Sequence, residues 1–465
     1  MKTSEKILIP AQIMPCRSPE ERKKTMDEVP AGYTEEMAVT EASRCLNCKN
    51  APCVNGCPVG INIPKALALT AERKFGEALS VMRESNFLPA ICGRVCPQES
   101  QCQKECTLGK MKNGTILPVF IGNIERYLAD NYSDQVVTAK NKENTGKKIA
   151  VAGSGPGGLT CAGELAAMGH KVVLFEALHE PGGVLVYGIP EFRLPRSILK
   201  REVKFLKETG VEFQMNTIIG KTIPVNEILN EYDALYVSTG AGVPGFPGIK
   251  GEDLPGAYSA NEYLTRVNLM GAWKKDARTP VSVGDVTIVI GGGNVAMDAA
   301  RTALRLGSRK VIVAYRRLKE DMPARIEEIH HAEEEGIEFK FLISPEEIME
   351  SENNRVGKIL FREMRIEKDP DGGRNRIFNT EKTFVMDCNV VIFATGSSPN
   401  PILTTNCPEL QLNKHGGIIV NPETMQTSIS KIFAGGDAVS GAATVILAMS
   451  NGKTAAKYIN EFVMK

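Results

Sequence analysis

Residues 148–176 read KIAVAGSGPGGLTCAGELAAMGHKVVLFE, and the fold turns on this stretch. Residues 149–152 form a short apolar run with the length and flanks of a buried parallel strand. Gly153, Gly155 and Gly158 follow in G-x-G-x-x-G spacing. Residues 159–168 carry a helical pattern, which Gly169 stops. A second apolar run, 172–175, ends at Glu176. The order of parts is that of a dinucleotide-binding βαβ unit. Gly153 permits the tight turn, and Gly155 lets the backbone approach a pyrophosphate seated on the helix N-terminus. Gly158 lets the helix pack closely on the strand, and Glu176 is placed to accept hydrogen bonds from a ribose hydroxyl. Three glycines alone could make an ordinary turn. The strand, helix, second strand and terminal acid around them argue against that.

The 465-residue chain has room for about two to four domains. Its 42% hydrophobic and 24% charged residues are ordinary for a globular protein. A net charge of +1 gives no sign of a nucleic-acid or anionic-membrane partner. No apolar run reaches membrane-spanning length, and residues 1–16 lack a signal-peptide core. A cytoplasmic location is expected. Eight of the 12 cysteines fall between Cys45 and Cys106. In a reducing compartment such clustering points to metal rather than disulfides.

These cysteines form two groups. The first is Cys45-x2-Cys48-x4-Cys53-x3-Cys57-Pro58, and the second is Cys92-x3-Cys96-Pro97 followed by Cys102-x3-Cys106. Zinc could occupy four-cysteine groups. The Cys-Pro step in each group favours iron–sulfur clusters, because in the ferredoxin run the cysteine before proline serves the other cluster of a pair. Residues 19–44 and 64–84 look helical, so the block is expected to be a small all-α domain.

The runs CLNCKNAPCVNGCP, CGRVCPQESQC and IGNIERY resemble the cluster domain of the glutamate synthase small (β) subunit family. The same domain occurs in dihydropyrimidine dehydrogenase and in the large subunit of electron-bifurcating NADH-dependent ferredoxin:NADP oxidoreductase. The resemblance extends over nearly the whole chain. It implies one [4Fe-4S] cluster on Cys45, Cys48, Cys53 and Cys96. It implies a second on Cys57, Cys102 and Cys106, with Glu125 as fourth ligand and Cys92 as a neighbour. Gly60 departs from the family, where histidine is frequent. Cys16, Cys161, Cys388 and Cys407 stand alone and are expected to be structural. No Cys-x-x-Cys or Cys-x4-Cys follows the glycine fingerprint, which argues against a disulfide-reducing flavoenzyme.

Residues 138–147 are polar and lysine-rich, as a linker would be. Beyond the hub, Gly183 and Gly188 fall in a GG-x-L-x-x-GIP stretch that in relatives lies against the flavin. A second fingerprint starts at the apolar run 286–290, with Gly291, Gly293, Asn294 and Ala296 in G-x-G-x-x-A spacing. After its helix and strand, Tyr315 stands where Glu176 stood, followed by Arg316 and Arg317. The acid suited to a 2′-hydroxyl is gone, and two guanidinium groups suit the 2′-phosphate of NADPH. Further on, VIFATG ends at Gly396, and IFAGGD presents Gly436 and Asp437 to the ribityl chain of FAD. A helix after that loop would aim its N-terminus at the flavin, with Thr444 and Val445 at the contact in the family.

The expected architecture is α/β. A helical two-[4Fe-4S] domain (1–145) precedes an FAD domain (146–283 and 394–465), into which an NADPH domain (284–393) is inserted, both three-layered and Rossmann-like. NADPH would pass hydride to flavin, and flavin would exchange single electrons with the clusters, with no acid–base catalyst required. The resemblance implies a second redox subunit as partner, either a glutamate synthase large subunit or a flavin/iron–sulfur small subunit, with ferredoxin as a further candidate. The chain has no room for an amidotransferase domain plus an FMN barrel, so it cannot form glutamate unaided by the usual route. The alternatives are the large subunit of the bifurcating oxidoreductase and a non-catalytic cluster-bearing scaffold. The intact second fingerprint argues against the scaffold.

Overall fold

The computed structural model describes residues 2–135, 143–367, 369 and 375–465, so the first half of the expected linker, 138–142, lies outside the described residues. Up to residue 135 the named elements are all helical. Helices Ile63–Ala71, Phe75–Arg83, Pro89–Val95 and Ile121–Tyr132 pack on one another around Leu67, Leu79, Leu88, Ile91 and Leu128, which are fully buried. Gly93 lets the last two helices cross closely, and Gly122 makes room for the Gln98 side chain beside the crossing. A Cβ on Gly93 would lie 2.7 Å from the Arg126 nitrogen, and one on Gly122 would meet the Gln98 amide.

The hub unit forms as its apolar pattern predicts. Strand Lys148–Ala152 is flanked by Lys171–Phe175 and Ala234–Val237 in a five-stranded sheet. Val211–Gln214 forms one edge, and Ile432–Ala434 forms the other. All pairings are parallel, so near-continuous apolar strands are buried on both faces. Helices Pro156–Ala167 and Val445–Val463 pack against each other on one face, where a Cβ on Gly452 would meet the Gly157 carbonyl at 2.3 Å. The last strand and helix of the chain thus rejoin the first sheet, as expected for an inserted domain.

The second sheet is also parallel and five-stranded, in the order Ala257–Ser259, Val390–Phe393, Val286–Ile290, Lys310–Tyr315, Glu338–Phe341. Its edge strand and helix Ala260–Asn268 come from ahead of residue 284. One feature was not foreseen from sequence. Ile343–Glu350, Val356–Glu367 and Arg376–Asp387 form an antiparallel three-stranded sheet. Its inward residues Ile348, Ile359 and Phe361 cover the face of the second sheet that carries Ile288, Ile312 and Val391.

Buried charges join the bodies. Arg193 makes a two-pronged pair with Asp298 at 2.8 and 2.7 Å. Arg22 reaches Glu335 at 2.9 Å, and Arg325 reaches Gln98 at 3.0 Å. Burial alone would raise the Glu335 carboxyl, but bonds from Arg305 and Arg301 hold it down at about 2. No helix among the described residues is long and apolar enough to cross a membrane.

Candidate functional site

At the first fingerprint, Gly153 has φ +100°, and a Cβ there would lie 2.3 Å from the Ser238 carbonyl. A Cβ on Gly158 would lie 1.9 Å from the Gly153 carbonyl, so the helix meets the turn without space for a side chain. Gly155 differs, because its Cβ would enter open space. Gly155 also caps helix Pro156–Ala167 without a side-chain bond, leaving N–H donors aimed at that space. This is a cradle with the shape and polarity for a pyrophosphate. Glu176 sits at its rim, buried, and accepts from the Ser154 and Leu178 N–H groups at 2.9 Å.

Of the other residues expected at this site, Gly183 lies against the same loop. Gly183, with φ +53°, would bring a Cβ within 3.0 Å of the Gly155 Cα. Gly188 ends the short helix Val184–Tyr187, and the Asn268 side chain donates to the Tyr187 and Gly188 carbonyls at 3.1 and 3.3 Å. Gly436 has φ +65°, and Asp437 follows it half-buried, its carboxyl pushed up by burial. The Ala443 N–H donates to Asp437 at 3.2 Å. Thr444 caps helix Val445–Val463, accepting from the Leu447 N–H at 3.4 Å. Gly396 lies elsewhere, at the junction of the two sheets, where its carbonyl accepts from the Gly245 N–H.

The second fingerprint repeats the construction. Gly291 has φ +146°, and its Cβ would meet the Ala394 carbonyl at 2.5 Å. A Cβ on Gly293 would find only Pro323 Cγ, at 3.9 Å, and this residue caps helix Asn294–Arg305 without a side-chain bond. Asn294 accepts from the Arg325 N–H at 2.9 Å, and Ala296 is fully buried. At the strand end the expected pair of arginines separates. Arg316 is exposed, whereas Arg317 is buried and donates to the Asn375 carbonyl at 2.8 Å. Both arginines lie in the bend just after strand Lys310–Tyr315, which leaves one in solvent and turns the other inward.

The cysteines group differently from the expected sets. Cys45, Cys48, Cys53 and Cys106 line one small open-sided cavity with Leu67, Leu108 and Ile121. Cys106, not Cys96, completes the first group. Cys96 instead stands with Cys57, Cys102 and Glu125, each close enough to disturb its neighbours' charge. The reason lies in the chain path. Cys96 ends helix Pro89–Val95, which crosses the Glu125 helix at Gly93, while Cys106 begins helix Thr107–Lys110 on the far side.

In the first group burial pushes Cys45 up and Cys53 up to about 12, with neighbouring thiols adding to both shifts. In the second, burial followed by the nearby thiols and Glu125 raises Cys57 and Cys102. Burial also lifts the Glu125 carboxyl to about 8. Thiolates packed this way need positive charge, which iron supplies. Among the described residues no three such side chains converge closely enough for a single ion. The thiols of the first group surround a hollow instead. Cys92 is buried beside Cys96, and Cys161, Cys388 and Cys407 are buried and separate.

Residues 22–137 match the family model described as dihydropyrimidine dehydrogenase domain II, 4Fe-4S cluster. Residues 147–452 match the pyridine nucleotide-disulphide oxidoreductase model. The glutamate synthase [NADPH] small chain of Escherichia coli is 36% identical, covering 94% of this chain and 93% of its own. The NADP(+)-dependent formate dehydrogenase subunit beta of Moorella thermoacetica is 34% identical over 89% of this chain but 60% of its own length. Mycobacterium tuberculosis FprA in complex with NADPH shares the fold at a TM-score of 0.58 and 20% identity, covering 68% of this chain and 85% of its own. The chain therefore belongs to the glutamate synthase small-chain family, whose members join a 4Fe-4S domain to a pyridine nucleotide oxidoreductase.

Proposed function

We propose that this chain is an NADPH-dependent flavin and iron–sulfur oxidoreductase that serves a second redox subunit. FAD occupies the cradle of Gly153, Gly155 and Gly158, with Glu176 on the ribose and Gly183, Gly188, Asp437, Thr444 and Val445 toward the ring. Gly396 contributes at the sheet junction. NADPH occupies the turn of Gly291, Gly293, Asn294 and Ala296, with Arg316 on its 2′-phosphate. One [4Fe-4S] cluster takes Cys45, Cys48, Cys53 and Cys106. A second takes Cys57, Cys96, Cys102 and Glu125. FAD, when bound, converts the two-electron chemistry of NADPH into the one-electron steps that clusters carry.

The observation that carries this reading is helix Val445–Val463. Ala448 in its first turn lies against Gly157, beside the proposed flavin cradle, and its next turns dock on the cluster domain. Ser450 donates to the Pro58 carbonyl at 2.9 Å, and Lys453 donates to the Ser85 and Val59 carbonyls at 3.2 and 3.4 Å. Pro58 follows Cys57 directly. These bonds fix the flavin-domain helix beside the second cysteine group, so FAD, when bound in the cradle, would have the clusters within the same rigid framework. We place Ala257–Asn268 in the nucleotide domain with residues 284–393, because strand and helix pack there.

Relatives named as small or beta subunits support a partner subunit as electron acceptor, and a glutamate-forming large chain fits the E. coli relative. Anaerobic holoprotein should show flavin and cluster absorption bleached by NADPH, and should form no glutamate from glutamine without a partner. Glutamate formation by the chain alone would refute the partner requirement.

A further inference from the structure

Asn86 lies between helices Phe75–Arg83 and Pro89–Val95 and is completely buried. Its side-chain oxygen accepts the Leu88 N–H at 2.8 Å. That bond fixes which way the amide faces, because a flipped amide would set two donors against each other. The amide nitrogen therefore points at Glu125 and donates to its Oε1 at 2.7 Å. The Cys92 thiol approaches the same Asn86 oxygen at 3.7 Å and the Met449 sulfur at 3.5 Å. Glu125, Asn86, Cys92 and Met449 thus form a continuous buried chain from the second cysteine group to the flavin-domain helix.

We propose that Asn86 is a positioning residue for Glu125, holding Oε1 so that Oε2 alone faces the second cysteine group. This deepens the proposed ligand set and rests on Glu125 being a ligand. A free carboxylate can rotate or bind iron through both oxygens, and pinning one oxygen removes that freedom. A neutral amide suits the task. Arg or Lys in its place would neutralise the carboxylate and compete with iron for it. Partners behind a metal ligand typically change metal affinity by about 10–100-fold when removed. Cys92 and Met449 keep the back of the amide dry, which strengthens its bond to Glu125.

The test uses full-length anaerobic holoprotein carrying Asn86→Leu, Glu125→Ala, Glu125→Cys, or Asn86→Leu with Glu125→Cys. Iron, sulfide and FAD content, EPR spectra of the reduced protein and the rate of iron loss to a chelator are measured. Asn86→Leu should retain FAD and one cluster's EPR signal unchanged. The other signal should shift, and that cluster should lose iron roughly 10–100 times faster. In the Glu125→Cys background Asn86→Leu should add nothing, because a thiolate does not need the amide. Should Asn86→Leu fail to fold, Asn86→Ser keeps a side-chain oxygen for the Leu88 N–H but is too short to donate to Glu125, with the same expectation. Wild-type EPR and lability in the folded Asn86 variant overturn the proposal, as does an undiminished effect beside Glu125→Cys. If Glu125→Ala leaves both signals unchanged, the ligand reading falls and takes this proposal with it. If Glu125→Ala alters one signal and Asn86→Leu does not, only the role of Asn86 falls.

Discussion

In both parallel sheets a central strand runs into a glycine at positive φ whose hydrogen faces the carbonyl of a neighbouring strand's end. Gly153 faces Ser238, and Gly291 faces Ala394, with hypothetical Cβ distances of 2.3 and 2.5 Å. In both, the next glycine of the fingerprint opens on free space beneath an uncapped helix. The units part company at two places. The third fingerprint position is glycine in the first, because Gly158 touches the Gly153 carbonyl, and alanine in the second. The strand end is a buried acid in the first and Tyr315 with an exposed Arg316 in the second. The shared parts answer a demand of the backbone, which any pyrophosphate makes. The divergent strand end answers the ribose, which is where nucleotides differ.

The comparison can be broken most forcefully at the turns. Gly153→Ala combines left-handed strain with overlap against backbone and should cost about 2–4 kcal/mol, releasing FAD. Gly291→Ala should cost a similar amount but keep FAD and abolish bleaching by NADPH. FAD content and anaerobic absorption spectra separate the two, and loss of FAD from Gly291→Ala would show that the sites are not independent.

A smaller effect distinguishes the third positions. Gly158→Ala should lower stability by about 1–3 kcal/mol through overpacking. Ala296→Gly should cost only about 1 kcal/mol of helix propensity. Denaturant unfolding measures both, and equal losses would mean the two helices approach their turns alike.

The smallest effect tests the strand end. Two arginines on one phosphate would favour NADPH over NADH by roughly 2–4 kcal/mol. With Arg317 turned to Asn375, the exposed Arg316 should contribute about 1–2 kcal/mol, or roughly five- to thirtyfold. Arg316→Ala should erase that preference, while Arg317→Ala should leave most of it. Binding titrations with each nucleotide decide between them, and equal losses would restore the pair.

Both glycine turns, the parallel strands around them and the return of the C-terminal strand were legible, because glycine spacing and apolar runs are local signals. The antiparallel sheet of residues 343–387 was not, since its strands alternate weakly and carry many charges on their outer faces. The cysteine spacing marked the cluster region without saying which cysteines face which hollow. That depends on where two helices cross, and the crossing rests on Gly93, whose missing side chain spacing alone does not relate to the cysteines. The separation of Arg317 from Arg316 was illegible for a similar reason. Adjacent residues look equivalent on paper and point apart in space.

The proposed function rests on one step, in which NADPH, bound at the second turn, reduces a flavin held at the first. Anaerobic titration of the holoprotein with NADPH and with NADH, following flavin and cluster absorption, tests it most directly. The account predicts that NADPH bleaches both bands, at concentrations roughly five- to thirtyfold below those NADH requires. A flavin that neither nucleotide bleaches, or that NADH reduces as readily as NADPH, would contradict it.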